Sequence, residues 1–383
     1  MTNFLALTNA TIYPNPIDPP VTEAAILIEN GKITFAGPQS QARIPETADR
    51  LDCSGLIITA GFWNSHVHFF ERKWANAAAI PAPELGRQLE DMLTRYGFTS
   101  VFDLSSLWEN TRIIRDRIES REVPGPRIRS TGVGLISPGG QPPDYLAQTM
   151  GTMKAPLPEV ADAAQAAAAA RRLLEQGVDA IKLFASSPWS PALSEEVILA
   201  AVDEAHRAGK KVFIHPNTGV EMLAALRCGV DIIAHTTPRS GPWDLKEPRA
   251  ALTPTLTLWK YFLRHDRFST QQEIVNTAVE QLRHWIAQGG TVLYGSDLGA
   301  VDYDPTDEYF LMSAAGMSFR EILASLTTAP AAEFGESHRL GRIAPGFVAD
   351  LVALRGDRSM SDVVFTIRDG DMIYKERKLA AQV

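Results

Sequence analysis

The chain has little of several features that mark large classes of proteins. Of its 383 residues only Cys53 and Cys228 are cysteines, far apart and without CxxC spacing, which argues against a disulfide framework or a thiolate zinc site. The net charge is -8, and no basic stripe offers a footprint for nucleic acid. No apolar run approaches the roughly 18 residues that cross a bilayer, and the N-terminus lacks a signal-peptide pattern. We therefore expect a cytoplasmic protein that binds neither nucleic acid nor a membrane.

The two ends of the chain carry patterns typical of β-strands. Residues 5–13 are apolar and β-branched, and Asn30-Gly31 separates two further apolar runs in the manner of a hairpin turn. Near the other end, Asp369-Gly370 separates two similar runs. We expect these segments to meet, so that residues 1–59 and 340–383 form one small β-sandwich.

Between the ends, short apolar strands alternate with amphipathic helices, which predicts βα units around a parallel sheet. The predicted strands are residues 63–69, 99–104, 128–135, 180–184, 212–215, 232–235, 251–256 and 292–296. The helices predicted after most of them are residues 84–96, 111–120, 159–176, 194–208, 219–227 and 271–288. Eight such strands form a closed barrel. We therefore predict the α/β class, with a (β/α)8 TIM barrel over residues 60–339.

One predicted loop, residues 136–158, is unusually long and rich in glycine and proline. It follows a barrel strand, and long loops inside compact domains are usually functional or disordered. A lid over the active-site face and a solvated excursion are both consistent with this sequence.

The first candidate for chemistry is the pair His66 and His68. Residues i and i+2 of a strand point to the same side, so both imidazoles face one point at the end of the first barrel strand. Imidazole nitrogen is a good ligand for zinc and related metals. Two nearby histidines also occur by chance, and the pair alone is therefore a weak signal.

Lys182 lies among apolar residues of a predicted strand. Burying an unpaired ammonium is costly, so the residue is either a surface lysine with a buried stem or a buried amine with a depressed pKa. A neutral amine is nucleophilic and can take up CO₂ as a carbamate, whose oxygens can bridge two metals.

Three further residues occupy equivalent places on later strands. His215 and His235 end two successive strands, and Asp297 follows the strand predicted at residues 292–296. Each alone has an ordinary explanation, as a structural histidine or as a helix N-cap.

The joint pattern carries more weight than any single residue. Four of the eight histidines lie in or just past predicted strands, and barrel enzymes place catalytic groups at the carboxyl ends of their strands. Packing alone is a poor explanation for six metal-binding or proton-transferring residues in such places. These six are His66, His68, Lys182, His215, His235 and Asp297.

The order of these residues resembles the binuclear metal signature of the amidohydrolase superfamily. Residues 56–62, leading into His66 and His68, are similar to the family's entry to the barrel. GRIAPGFVADLVAL at 341–354 is similar to its return into the terminal β-structure. QGVDAIKLFAS at 176–186, followed by two single histidines, resembles the prolidase-like and imidazolonepropionase-like branch. The similarity spans nearly the whole chain.

This resemblance implies two divalent metal ions, with zinc expected first and manganese, cobalt or iron as alternatives. It implies that the ligands are His66, His68 and Asp297 for one ion, and His215 and His235 for the other. A CO₂-derived carbamate on Lys182 is expected to bridge the two. A hydroxide between the ions would attack the substrate carbonyl, and Asp297 would pass its proton to the leaving amine.

The implied reaction is hydrolysis of a C–N bond in a small molecule, as an amide, a carbamate or an Xaa-Pro-like dipeptide. A lactonase or esterase on the same site, a non-catalytic scaffold on the amidohydrolase fold, and a mononuclear site with a structural Lys182 are the alternatives. All six expected ligands are present, which argues against the scaffold. The chain departs from the family pattern at Ala60, at Asn64 and in segment 103–106, which leaves the specificity open.

Candidate substrate contacts come from loops that follow strands and from the end of the second strand. They are Trp189, Trp243, Trp259, Tyr261 and Asp103. Aromatic side chains there could line an apolar pocket for a substrate, or pack between the barrel and its helices. We expect a small-molecule substrate and allow for a homo-oligomer.

Overall fold

The computed structural model describes residues 4–140, 157–185, 191–240, 243, 248–262, 271–300, 303–356 and 360–376. Its strands are β1 (Phe4–Ile12), β2 (Val21–Glu29), β3 (Lys32–Pro38), β4 (Asp49–Asp52), β5 (Leu56–Ala60), β6 (Phe62–Val67), β7 (Phe98–Asp103), β8 (Arg127–Ser130), β9 (Ala180–Phe184), β10 (Lys211–His215), β11 (Ile232–Ala234), β12 (Ala251–Thr253), β13 (Thr291–Val292), β14 (Leu351–Arg355), β15 (Val363–Arg368) and β16 (Asp371–Lys375). Its α-helices are α1 (Ala82–Met92), α2 (Trp108–Glu119), α3 (Ala163–Glu175), α4 (Glu195–Arg207), α5 (Gly219–Arg227), α6 (Leu256–Phe262), α7 (Gln271–Ala287), α8 (Asp307–Ala314), α9 (Phe319–Leu326) and α10 (Thr328–Glu333). Within these ranges, every helix is too short or too polar to cross a membrane.

Strands from both ends of the chain form one eight-stranded sheet. Its order is β16-β15-β14-β5-β1-β2-β3, and β4 pairs with β1. The predicted hairpin turns at Asn30-Gly31 and Asp369-Gly370 are confirmed, because β2–β3 and β15–β16 are antiparallel and all four turn residues have positive φ. The two turns touch, since a Cβ on Gly31 would lie 2.5 Å from the Asp369 carbonyl oxygen. The described terminal strands form a single sheet, so the sandwich stays a prediction.

The middle of the chain contains two parallel sheets, one of five strands (β13-β12-β11-β10-β9) and one of three (β6-β7-β8). Helices follow most of these strands, as the alternating pattern predicted. Isolated parallel bridges connect the edges of the two sheets, at Val67 with Leu298 and at Leu135 with Leu183. The architecture is therefore mixed α/β with parallel strands.

The apolar core has layers that match this arrangement. One large cluster contains side chains from the helices and from the strands of both parallel sheets, with Trp74, Trp108 and Trp285 buried in it. A smaller cluster collects side chains from five strands and the segments after them, and the partly buried Phe334 packs against it. Its buried members are Phe102, Leu104, Ala180, Phe213, Ile232, Ala251 and Leu293.

Local sequence signals start several of the helices. Asp162 and Ser194 accept hydrogen bonds from the first turns of α3 and α4, and Thr218 with Glu221 forms a capping box on α5. Such caps satisfy backbone N–H groups that have no partner within the helix.

Several predicted boundaries shift where the chain turns towards the carboxyl face of the strands. The strand predicted at residues 251–256 ends at Thr253, because Thr255 has a φ of +45° and α6 begins at Leu256. Of the strand predicted at residues 292–296, only Val292 belongs to the observed strand β13, which ends there. Most of the loop predicted at 136–158 lies outside the described residues.

Candidate metal centre

The six candidate ligands lie on or just past five strands of the two parallel sheets. His66 is in β6 and His68 follows it, while Lys182 is near the middle of β9. His215 is the last residue of β10 and His235 comes directly after β11. Parallel strands end at the same edge of a sheet, so these positions bring the side chains towards one region. Asp297 reaches it from the segment after β13.

Three of these residues form a compact group of potential ligands. The Nε2 atoms of His66 and His68 lie 3.1 Å and 2.7 Å from Oδ1 of Asp297. One ligand atom from each residue can be chosen so that all lie within 4.8 Å of one another. Two imidazoles and a carboxylate are a donor set found in zinc sites.

The other three residues complete the cluster. The ring centroid of His235 lies 4.6 Å from that of His66 and 4.4 Å from that of His215. Lys182 is fully buried, and its charge acts on His66, His215 and Asp297. The structure therefore brings together all six residues that the sequence selected.

Several nitrogen atoms at this site are buried without a hydrogen-bond partner in the described part of the chain. They are Nδ1 of His66, Nδ1 of His68, Nζ of Lys182 and Nε2 of His66, whose 3.1 Å contact with the Asp297 carboxylate lacks hydrogen-bond geometry. A buried polar atom without a hydrogen bond costs free energy, and such groups in native proteins often mark ligand or ion sites. The residues present therefore fit a bound divalent metal ion.

Burial keeps the imidazoles of His66, His215 and His235 neutral. It lowers the pKa of His66 to about 4 and that of His215 to about 3, and it holds the pKa of His235 well below its ordinary value. A metal ion binds the deprotonated form of a ligand. These histidines are therefore ready to bind metal at neutral pH without losing a proton.

The pKa values of Lys182 and Asp297 are also lowered. Burial lowers the pKa of Lys182 to about 7, although the nearby Asp297 carboxylate opposes this. Burial alone would raise the pKa of Asp297, but His66 and His68 hold it well below its usual range. At neutral pH the site thus contains a carboxylate and an amine that is substantially uncharged.

A buried threonine orients His235. Nδ1 of His235 lies 2.6 Å from Oγ1 of Thr255, and hydrogen bonds of this kind fix the tautomer and direction of a ligating imidazole. Glu308 is also fully buried, and its carboxylate accepts hydrogen bonds from the backbone N–H groups of Leu256 and Thr257, each at 2.8 Å. Glu308 therefore holds the start of α6 directly after Thr255.

Asp103 is fully buried and surrounded by protein donors. Its carboxylate accepts hydrogen bonds from the backbone N–H of Phe69 at 3.1 Å and from the hydroxyls of Ser106, Thr111 and Ser130. Both oxygens are occupied, and burial raises the pKa of the group. Asp103 thus supports the backbone next to His68 rather than presenting a free carboxylate to a ligand.

Three of the aromatic candidates, Trp243, Trp259 and Tyr261, have hydrogen-bond partners within the protein. The indole N–H of Trp259 donates to the Thr236 hydroxyl at 2.8 Å, and that of Trp243 donates to the Thr237 hydroxyl at 2.7 Å. Both threonines directly follow His235. The hydroxyl of Tyr261 donates to Asp307 at 2.8 Å, and its ring stacks on Tyr303. Trp189 lies outside the described residues.

Three supporting residues escaped the sequence analysis as functional candidates: Thr255, Glu308 and Asn64, whose amide oxygen accepts hydrogen bonds from the backbone N–H groups of His66 and Ser296. Asn64 drew attention only as a departure from a family pattern. A polar residue two positions before the first histidine was a usable signal. The contact between Thr255 and His235, 20 residues apart, left no comparable signal in the sequence.

Comparison with known proteins is consistent with this geometry. A family model described as "Amidohydrolase family" matches residues 57–374. A curated adenine deaminase from Rubrobacter xylanophilus is 21% identical over 382 residues, which cover 94% of this chain and 55% of that protein. The chain therefore spans about half the length of this relative.

Two solved structures resemble the chain over nearly all of its length. A Xaa-Pro dipeptidase with bound methionine in its active site has a TM-score of 0.82 at 20% identity, covering 98% of this chain and 100% of that one. A structure described as an amidohydrolase has a TM-score of 0.77 at 25% identity, with the same coverage. The family match and these neighbours imply a TIM-barrel-type α/β fold.

Proposed function

The chain belongs to the amidohydrolase family, and from this premise we propose that it cleaves an amide, a carbamate or an Xaa-Pro-like dipeptide bond in a small molecule. Family membership supports a metal-dependent hydrolase acting on C–N bonds in general. The observation that carries the proposal is the convergence of His66, His68 and Asp297, with ligand atoms within 4.8 Å of one another. The partnerless buried amine of Lys182 beside them adds to it.

We assign the metal-binding roles from the groupings within the cluster. His66, His68 and Asp297 would hold one divalent ion, and His215 and His235 would hold a second. Zinc is the first choice for imidazole and carboxylate ligands, with manganese, cobalt or iron as alternatives. Bound ions would supply Lewis acidity, which polarises a carbonyl and acidifies water.

Lys182 would bridge the two metal positions as a carbamate. Its low pKa leaves much of the amine uncharged at neutral pH, and an uncharged amine adds to CO₂ with release of one proton. The product carries its negative charge on two oxygens. A group that can bind metal ions thereby takes the place of an amine whose charged form is unfavourable to bury. This change would also account for a lysine in a fully buried strand position.

Asp297 is the proposed proton carrier. Its low pKa keeps it ionised between reactions, and Oδ1 is held by the two imidazoles of His66 and His68. A held carboxylate can accept a proton from the attacking water and deliver it to the leaving nitrogen, which would otherwise depart as an unstable anion.

The substrate would lie over the carboxyl ends of the strands, next to Trp259 and Tyr261. The polar atoms of Trp259, Trp243 and Tyr261 already have protein partners, so these residues would contribute ring faces rather than hydrogen bonds. Trp189 stays a predicted contact. We assign Asp103 a supporting role, because both of its oxygens are engaged. A cytoplasmic location and a homo-oligomer are retained as predictions.

We also propose that the two parallel sheets close into one eight-stranded barrel over residues 60–339. The bridges at Val67–Leu298 and Leu135–Leu183 support closure at both seams. Residues 1–59 and 340–383 would form the second domain, as a β-sandwich that includes the terminal sheet.

An activity screen of metal-loaded protein tests this function. Protein reconstituted with zinc or with manganese would be assayed against N-acyl amino acids, Xaa-Pro dipeptides, carbamates and lactones. Hydrolysis of a C–N bond that a chelator abolishes is the expected result. Activity on lactones alone would favour the esterase, whereas failure to bind metal or to act on any compound would favour a scaffold.

A further inference from the structure

The side chain of Asn64 connects the two segments that carry three of the proposed ligands. Its Oδ1 accepts hydrogen bonds from the backbone N–H groups of Ser296 at 3.1 Å and His66 at 3.3 Å. Its Nδ2 donates to Oγ of Ser296 at 2.6 Å. Asn64 and Ser296 are both fully buried, so water is not available to replace these bonds.

These two residues sit directly beside ligands. Asn64 precedes His66 by two positions on β6, and Ser296 immediately precedes Asp297. The same segments exchange backbone hydrogen bonds, from Asp297 N–H to the His66 carbonyl at 2.8 Å and from His68 N–H to the Leu298 carbonyl at 2.7 Å. A shift of one segment would therefore move Asp297 relative to both histidines.

Regular strand structure alone does not fix this register. The assigned strand β13 ends at Val292, and Asp297 has a φ of +61°. Two glycines allow a very close approach, since a Cβ on Gly295 would lie 2.9 Å from His66 Cβ and one on Gly299 would lie 2.1 Å from the His68 carbonyl oxygen. The glycines permit the contact, and the Asn64 side chain adds to the few backbone hydrogen bonds that hold its position.

We propose that Asn64 is a positioning residue that, with Ser296, sets the placement of Asp297 against His66 and His68 and thereby the affinity of this group for metal. This inference rests on the proposed function, because it concerns the same metal site. An amide suits the task because one planar group supplies both an acceptor for two N–H groups and a donor for the hydroxyl. An apolar side chain of similar size would remove the acceptor of the His66 N–H and leave Ser296 with only longer contacts, from its N–H to the His66 carbonyl at 3.3 Å and from the Leu298 N–H to its Oγ at 3.4 Å.

The test compares the zinc affinity of variants by competition with a chromophoric chelator. Residues that orient metal ligands typically contribute about 10- to 100-fold to affinity, so Asn64→Leu is expected to weaken zinc binding by about that factor. Ser296→Ala removes only the hydroxyl and is expected to lose less. The double variant should lose less than the product of the two separate losses, since the two side chains share a hydrogen bond.

A matched control separates positioning from general stability. Asn110 also bridges backbone groups, donating to the Trp74 carbonyl at 2.8 Å and accepting from the Ala77 N–H at 2.9 Å, and neither of these groups belongs to a candidate ligand or to a residue next to one. Asn110→Leu should lower the unfolding temperature and leave zinc affinity within about twofold. Ser296→Ala provides the mild variant if Asn64→Leu fails to fold.

The absorption spectrum of cobalt-substituted protein gives a second readout, because cobalt d–d bands report ligand geometry. Altered bands in Ser296→Ala and unchanged bands in Asn110→Leu are expected. If the wild type binds zinc and both Asn64→Leu and Ser296→Ala bind it equally well with unchanged cobalt bands, the positioning role is wrong while the proposed function stands. If the wild type binds neither metal, the proposed function fails and the positioning role falls with it.

Discussion

Replacing Glu308, whose fully buried carboxyl group lies at the start of α6, is expected to change how the stability of the protein depends on pH. Glu308 accepts hydrogen bonds from the N–H groups of Leu256 and Thr257 and from the Thr257 hydroxyl. These donors favour the charged form, as does its place at the start of α6. Burial opposes them and prevails, raising the pKa of Glu308 from 4.5 to about 7.

The sign of the effect on stability follows from this pKa. Between pH 4.5 and about 7 the folded protein retains a proton on Glu308 that the unfolded chain has lost. The contribution of Glu308 to stability is therefore fully present below pH 4.5, its pKa in the unfolded chain. This contribution falls as pH rises towards about 7, the pKa of Glu308 in the folded protein. At about 1.4 kcal/mol for each pH unit, the loss amounts to about 3 kcal/mol by pH 8.

Glu308→Gln removes this titration while keeping the size of the side chain. Urea unfolding of metal-free protein, in the presence of a chelator, gives the free energy of unfolding of both proteins from pH 4 to pH 8. The wild type is expected to lose about 3 kcal/mol relative to Glu308→Gln across this range. Titrations elsewhere in the chain cancel in the difference.

A difference between the two proteins that stays constant with pH would refute the reasoning. It would show that the three donors outweigh burial and keep Glu308 charged throughout. An unfolding free energy of the wild type that rises with pH relative to that of Glu308→Gln would also refute the reasoning. It would show that the charged carboxylate stabilises the start of α6.

Three further predictions concern the candidate metal ligands and a residue that contacts one of them. Lys182→Ala should lose most of its metal and activity and recover part of both with bicarbonate or short carboxylates; full activity without rescue would disprove a bridging role. Asp297→Asn should lower kcat by about 100- to 10,000-fold with a much smaller change in KM, and equal losses in both would indicate damage to folding instead. Thr255→Val removes the 2.6 Å contact with His235 Nδ1 and should weaken zinc binding about tenfold, as measured by chelator competition. Thr253→Val is its control, because this nearby buried threonine bonds only weakly to the Ile233 carbonyl at 3.4 Å, and an equal loss in both variants would contradict the assignment.

The sequence was most informative where function follows from local geometry. The alternation of a strand places His66 and His68 on one side, and the ends of parallel strands coincide at one edge. The positions of Lys182 and Asp297 in or just past predicted strands were therefore sufficient to select them as neighbours of these two histidines. The hairpin turns at both termini were equally local, since they depend on residues that tolerate positive φ.

The supporting contacts depend on distant parts of the chain. Asn64 and Ser296 are 232 positions apart, and the sequence of neither segment indicates a contact with the other. Glu308 reaches Thr257 across 51 positions, from a helix that the hydrophobic pattern did not reveal. Such pairs exist only once the tertiary fold has formed.

The same limit explains the outcome for Asp103 and the tryptophans. Their positions near strand ends were predictable, but the direction and partners of their polar atoms were not. Asp103 lies among three hydroxyls and a backbone N–H, and the indoles of Trp243 and Trp259 donate to the threonines after His235. Strand-end position alone therefore does not distinguish a substrate contact from a support for the ligands.

Elemental analysis of zinc-loaded protein tests the central claim most directly. Wild-type protein and the His66→Ala, His68→Ala double variant would be dialysed against zinc, desalted and analysed for metal per folded chain. We expect about two zinc ions on the wild type, as in two-metal hydrolase sites, and a clear loss in the variant. Equal zinc on both proteins, or none on either, would contradict a metal site built on these residues.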